Sequence, residues 1–234
     1  MNEPLKDNSG RASDLKTVAY IYLAITILGL IAGLFIRFTL PENNLNIRDL
    51  EVKLYSKIAT YTVFEILRMI LFAINAVFFI LWFKRAYYNA HQISNKTDYS
   101  INMAGFCWFI PLMNLFVPFA IAKNMLDISN RFFRNKNLDE SDLIKSTPVD
   151  AWWAVFILSG IINAYINHIA DSDLSNHKEV CTLFNCMVAT FALHTLDSLT
   201  YIWYISSYSK AELKLKELEN NDSIIYSSLT DKEV

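Results

Sequence analysis

An all-α fold, a polytopic integral membrane helical bundle, is predicted by three observations. Of the 234 residues 53% are hydrophobic and only 19% are charged, whereas charged residues make up about a quarter of a soluble domain. The apolar residues gather in blocks long enough for the roughly 20 helical residues that cross a bilayer core, and the charges gather between them. The few polar residues inside the blocks recur at helical spacing, which places them on single stripes turned away from lipid.

A net charge of −2 gives no basic field, so nucleic acid is not expected as a partner. Cys107, Cys181 and Cys186 all fall within apolar blocks, and no disulfide framework or zinc spacing is visible. No H-E-x-x-H, G-x-S-x-G or phosphate loop is found. No catalytic residue, metal or cofactor is therefore assigned.

Residues 1–16 read as a polar N-terminal tail of mixed charge, without the basic start and cleavage site of a signal peptide. Residues 17–208 read as a single membrane-embedded helical domain. The first block, Thr17 to Phe38, carries no charge before Arg37 and is expected to be a retained signal anchor. Its Gly29 and Gly33 form a G-x-x-x-G pair, for which ordinary packing is favoured over a specific dimer face. After a polar connector, the second block from Ile58 to Phe83 holds Glu65, Arg68 and Asn75, which share a stripe with Phe72 and Phe79. The Glu65/Arg68 pair at i, i+3 lowers the cost of placing either charge in hydrocarbon.

Trp82, Lys84 and Arg85 read as interface anchors, an aromatic belt passing into a basic cytoplasmic edge. The third block, Ile101 to Ala122, contains Pro111 and Pro118 as helix-break candidates. It either spans with kinks or dips in and returns to the same side. Counting Lys plus Arg in the loops, five full spans divide the charges 7 to 13 between the two sides, and a re-entrant third block divides them 15 to 5. The cleaner split favours four transmembrane helices plus a re-entrant element, with both tails in the cytoplasm.

Lys123 to Val149 is the most charged internal stretch, expected as a helix extension and loop. The fourth block, Ala151 to Ala170, opens on Trp152 and Trp153 as further anchors and carries Ser159, Asn163 and Asn167 on one face. The fifth, Val180 to about Ser206, aligns Cys186, Thr190, His194, Asp197 and Tyr201. Residues 209–234 read as a polar, partly disordered C-terminal tail.

The residues Trp82, Arg85, Ala86, Tyr87 and Asn89, then Trp108, Phe109, Pro111, Asn114, Leu115 and Pro118, then Ser129 and the Trp152-Trp153 pair, resemble a bacterial membrane family called domain of unknown function 4328. The likeness runs from about Leu50 to Lys210. It implies a multi-helix inner-membrane protein and no activity. The chain departs from the family pattern before the third block, reading Tyr99-Ser100-Ile101-Asn102 in place of Ser-Pro-Gly-Trp. It departs again after the second proline, with Asn124 and Leu126 where relatives tend to carry Glu and an aromatic residue.

Two chemical readings compete for the intramembrane polar residues. His194 and Asp197 at i, i+3 suit a proton relay, or else they bond across helices to Asn163, Asn167 or Asn75 and hold the bundle together. Asn114 lies between the prolines, where freed carbonyls need donors, and backbone unwound at membrane depth is tolerated when it is buried or lines a cavity. The favoured function is a non-enzymatic membrane scaffold or regulatory subunit. The alternative is a small-solute or proton-coupled transporter or channel-like protein with a polar intramembrane cavity. The expected partners are the lipid bilayer and a membrane protein or a second copy of the chain, in a multi-pass arrangement in a bacterial inner membrane.

Overall fold

The structure is a computed structural model that describes residues 4–39, 47–94, 97–170 and 177–230. Every regular element among them is helical. These are α1 (Ser9–Phe38), α2 (Ile47–Ile93), the short α3 (Met103–Phe106) and α4 (Pro111–Asn114), α5 (Val117–Asn135), α6 (Thr147–Ala170) and α7 (His177–Thr230), with 3-10 turns at Cys107–Phe109 and Glu140–Asp142. Among the described residues, α1, α2 and α6 are long and apolar enough to cross a membrane, and only 22–33% of their most apolar stretches is buried within the chain. Apolar helices that leave most of that surface uncovered match a hydrocarbon solvent rather than water. The fifth block lies within one continuous helix, α7, and carries Asn185, His194 and Asp197 inside it.

Helix α1 starts eight residues ahead of the apolar block. The cause is local: Asp7 Oδ1 accepts the Ser9 N–H at 3.0 Å, an amide that a helix start would otherwise orphan, and the first turn closes with Ala12 N donating to Asn8 O at 2.9 Å.

The third block is divided into short pieces. Ile110 is extended (φ −105, ψ 112), as a residue before proline prefers, and a second irregular residue, Phe116 (φ −133, ψ −41), precedes α5. Both prolines stand in the first turn of the helix that follows, where a missing N–H costs no intrahelical bond. Pro111 and Pro118 thus open α4 and α5, and the breaks lie just ahead of them. Further on, Asn137 takes a left-handed φ of 55, which asparagine tolerates at a helix end.

The chain divides into two compact units. Unit 1 comprises residues 1–16, 77–153 and 203–234, and unit 2 comprises residues 17–76 and 154–202. In unit 1 the core is aromatic. Trp152 stacks on Tyr204 with centroids 4.8 Å apart, Phe79 meets Trp108 edge-on at 5.2 Å, and Trp82 meets Tyr204 at 5.8 Å. Trp82, Trp152 and Trp153, expected as interface anchors, are core residues exposing 0, 3 and 8% of their surface. Lys84 is exposed and Arg85 half-buried.

Unit 2 closes on small residues. A Cβ on Gly29 would overlap the Phe191 ring, and one on Gly33 would stand 3.2 Å from Val188 Cγ2. The glycine pair therefore seats α7 against α1. Close by, Ile36 and Phe184 form a buried pair with Ile58, Cys181 and Met187 around it.

Candidate functional site

The polar stripe on α2 becomes a bonded triad. Arg68 donates from Nε and Nη2 to Glu65 Oε2 at 2.9 and 2.8 Å, and Tyr61 donates its hydroxyl to Glu65 Oε1 at 2.7 Å. Tyr61, Glu65 and Arg68 lie one turn apart in succession, so a single helix face presents all three. The side chains of Arg68 and Glu65 expose 15 and 20%. A carboxylate and a guanidinium joined in this way are mutually neutralised, the form in which charge is tolerated at membrane depth.

The triad borders a cavity of about 750 Å³ within unit 2. Asn163 and Asn167 face it from α6, and Cys186, Thr190 and His194 from α7, with Met69, Phe72, Ile166, Leu183 and Met187 completing the wall. Thr190 Oγ1 bonds back to Cys186 O at 3.0 Å, so its hydroxyl hydrogen is already used. The lining combines apolar surface with amide, imidazole and ion-pair groups, the usual composition of a small-molecule pocket of roughly 300–1,000 Å³.

Glu65, Arg68, Asn163 and His194 are thus gathered around one space. Asn75 is buried elsewhere in unit 2 and accepts the Tyr201 hydroxyl at 3.1 Å. Asp197 does not line the cavity, and its Oδ1 is buried without a partner among the described residues. Asn114 belongs to unit 1, where its Oδ1 is likewise buried and unbonded. Tyr61 was missed in the sequence, although its i, i+4 spacing to Glu65 was a usable signal.

The motif residues of unit 1 have separate tasks. The Tyr87 hydroxyl donates to Tyr99 O at 3.0 Å and accepts the Tyr99 N–H at 3.1 Å. Ser129 Oγ bonds Met125 O at 2.8 Å. Asn89 is buried and joins residues 4–8 to α7 through Lys6 and Glu212. The amide of Asn124 donates to Asp98 Oδ2 at 2.9 Å. A second carboxylate there would face Asp98 with like charge.

The model of the family described as Domain of unknown function (DUF4328) matches residues 50–210, well over half of the chain, and the chain belongs to that family. No curated protein matches it, and no solved structure matches it.

Proposed function

We propose that this DUF4328 family member is a non-enzymatic, multi-pass membrane protein that binds a small polar solute in the cavity of unit 2, as a transporter or channel-like protein does. The observation that carries the proposal is the convergence of Glu65, Arg68, Asn163 and His194 on one space of about 750 Å³. Polar side chains between apolar helices are costly unless they pair with one another or face a polar occupant. The Gly29/Gly33 face, for which ordinary packing is favoured, is covered by Phe191 and Val188 of the same chain. A membrane-protein partner or a second copy would need another surface.

The accompanying topology is four spans (α1, α2, α6 and the first part of α7) plus a re-entrant third block, in a bacterial inner membrane with both tails cytoplasmic. Unit 1 supports it by grouping residues 4–16 and 203–230 with Lys84, Arg85, Arg131 and Arg134, the charges that the positive-inside rule assigns to one side. Phe106, Phe109, Leu112 and Phe116 support it too, since each exposes at least 63% of its surface in a block with no charge, as a lipid-dipping element requires.

Cys186 provides the test. In protein held in lipid nanodiscs, a small charged thiol reagent is expected to modify Cys186, which faces the cavity, and to spare the fully buried Cys107. Mass spectrometry locates the adducts. Cys186 as inert as Cys107 would mean that the cavity is closed to water and would defeat the solute-site reading.

A further inference from the structure

Residues 4–8 are bound into unit 1 by apolar packing, hydrogen bonds and a cation–π contact. Leu5 packs into an apolar cluster with Phe133, Ala211 and Leu215, while its amide donates to Glu219 Oε2 of α7 at 3.3 Å. The Asn89 side chain pairs with the Lys6 backbone as one strand pairs with another. It accepts the Lys6 N–H at 2.9 Å and donates to Lys6 O at 2.9 Å. Asn8 Nδ2 donates to Trp82 O at 3.2 Å and to Glu212 Oε2 at 3.0 Å, and the Lys6 ammonium sits 3.9 Å from the centre of the Tyr88 ring.

Glu212 is the node of this arrangement. It is 7% exposed and accepts from two neutral amides, Asn8 at 3.0 Å and Asn89 at 2.7 Å. Asn8 Oδ1, which can only accept, is buried beside it without a partner among the described residues, as is the Ser209 hydroxyl. A proton on the carboxyl supplies a donor and removes a charge that the amides only partly solvate.

We propose that residues 4–8 are a strap fastening α2 to α7 within unit 1, and that ionisation of Glu212 loosens it. Burial pushes the Glu212 carboxyl up to about 7, with Asp7 adding to the effect, while the amides of Asn8 and Asn89 and the Arg85 guanidinium pull it down. A released strap returns the carboxyl to water, where it titrates near 4.5. The strapped state thus binds the proton more tightly. Its hold is full below about pH 4.5 and declines as the pH rises to about 7. The other charged or titratable groups nearby are Lys6 and Asp7 on the strap, Arg11 and Lys16 on α1, Arg85 on α2, and Tyr204, Tyr208, Lys216 and Glu219 on α7. Arg11 is held by Leu81 O at 2.7 Å and Lys216 is paired with Asp7 at 3.4 Å. His91, near the same end of α2, bonds Tyr99 O and not the strap.

Hydrogen–deuterium exchange of the full-length protein in nanodiscs at pH 5 and pH 8, corrected for intrinsic rates, tests the strap. Protection of the Leu5 and Lys6 amides is expected to be about tenfold or more greater at pH 5. Glu212→Gln should abolish the difference and keep the strap protected at pH 8, and Asn89→Ala should remove protection at both. Equal protection of the wild type at the two pH values overturns the proposal, even where Glu212→Gln fails to fold. So does a Glu212→Gln protein that retains the wild-type difference, or a His91→Gln protein that loses it.

Discussion

In unit 2 the polar side chains of α2, α6 and α7 stand around a space of about 750 Å³. In unit 1 an equally polar group of Asn8, Asn89 and Glu212 is drawn into bonds of 2.7–3.2 Å around a void of about 60 Å³. The residue types are alike, and the difference lies in what surrounds them. In unit 1 the Glu212 carboxyl is met by the side-chain amides of Asn8 and Asn89 from two other segments, whereas the Glu65 carboxylate of unit 2 is bonded by Tyr61 and Arg68 of its own helix and the facing amides and imidazole stay open to the cavity. A protein can therefore use buried polar residues as a fastening in one place and as the wall of a site in another.

The comparison breaks first at Arg68. Arg68→Ala leaves the Glu65 carboxylate buried without its cation, with an expected loss of about 3–5 kcal/mol, read as failure to recover folded protein in detergent. Glu65→Gln combined with Arg68→Gln should restore much of it. Trp152→Ala removes the ring stacked on Tyr204 and should destabilise unit 1 by about 3 kcal/mol or more, measured by denaturant unfolding. Gly29→Ala forces Phe191 aside, with an expected cost of about 1–3 kcal/mol. Gly160→Ala, with nothing within 4 Å of the new Cβ, should be neutral or stabilise by up to about 1 kcal/mol. Equal thermal midpoints for these two glycine variants would show that the α1–α7 contact is not tight.

Smaller effects sharpen the same contrast. Asn124→Glu sets a carboxylate against Asp98 and should cost about 1 kcal/mol or more, recovered when Asp98→Asn is added. Tyr201→Phe leaves the buried Asn75 amide short of a donor, an expected loss of about 1 kcal/mol without change in Cys186 labelling. If it altered that labelling, Asn75 and the cavity would have to be treated as one network. In thermal melts, the wild type should lose stability between about pH 5 and pH 7 and Glu212→Gln should not, since the folded chain holds the Glu212 proton more tightly.

Much of this was legible along the chain because it depends on local spacing. The helix periodicity that placed Glu65 and Arg68 on one stripe also placed Cys186, Thr190 and His194 on the cavity face of α7. Proline stereochemistry marked the breaks in the third block. The role of the tryptophans was not legible: a Trp beside Lys84 and Arg85 satisfies the pattern of an interface belt, and only its neighbours Tyr204 and Tyr208 make Trp82 a core residue. Glu212 was hidden more thoroughly, since a glutamate in an alternation of Lys, Glu and Leu reads as a solvated face. Its partner Asn8 is 204 positions away, and no periodicity reports a contact of that range.

By itself the sequence determined that this protein is helical, that its apolar blocks suit a bilayer and that Glu65 and Arg68 stand one turn apart on one face. Those properties follow from composition and from the 3.6-residue repeat. Only the tertiary structure decided which polar groups enclose a space and which close on one another. Glycine at 29 and 33 sets how near α7 comes to α1, and a capped helix start at Ser9 brings residues 4–8 onto α2 and α7. Both outcomes turn on contacts between segments distant in the chain, and these are set by packing and desolvation, not by local preference.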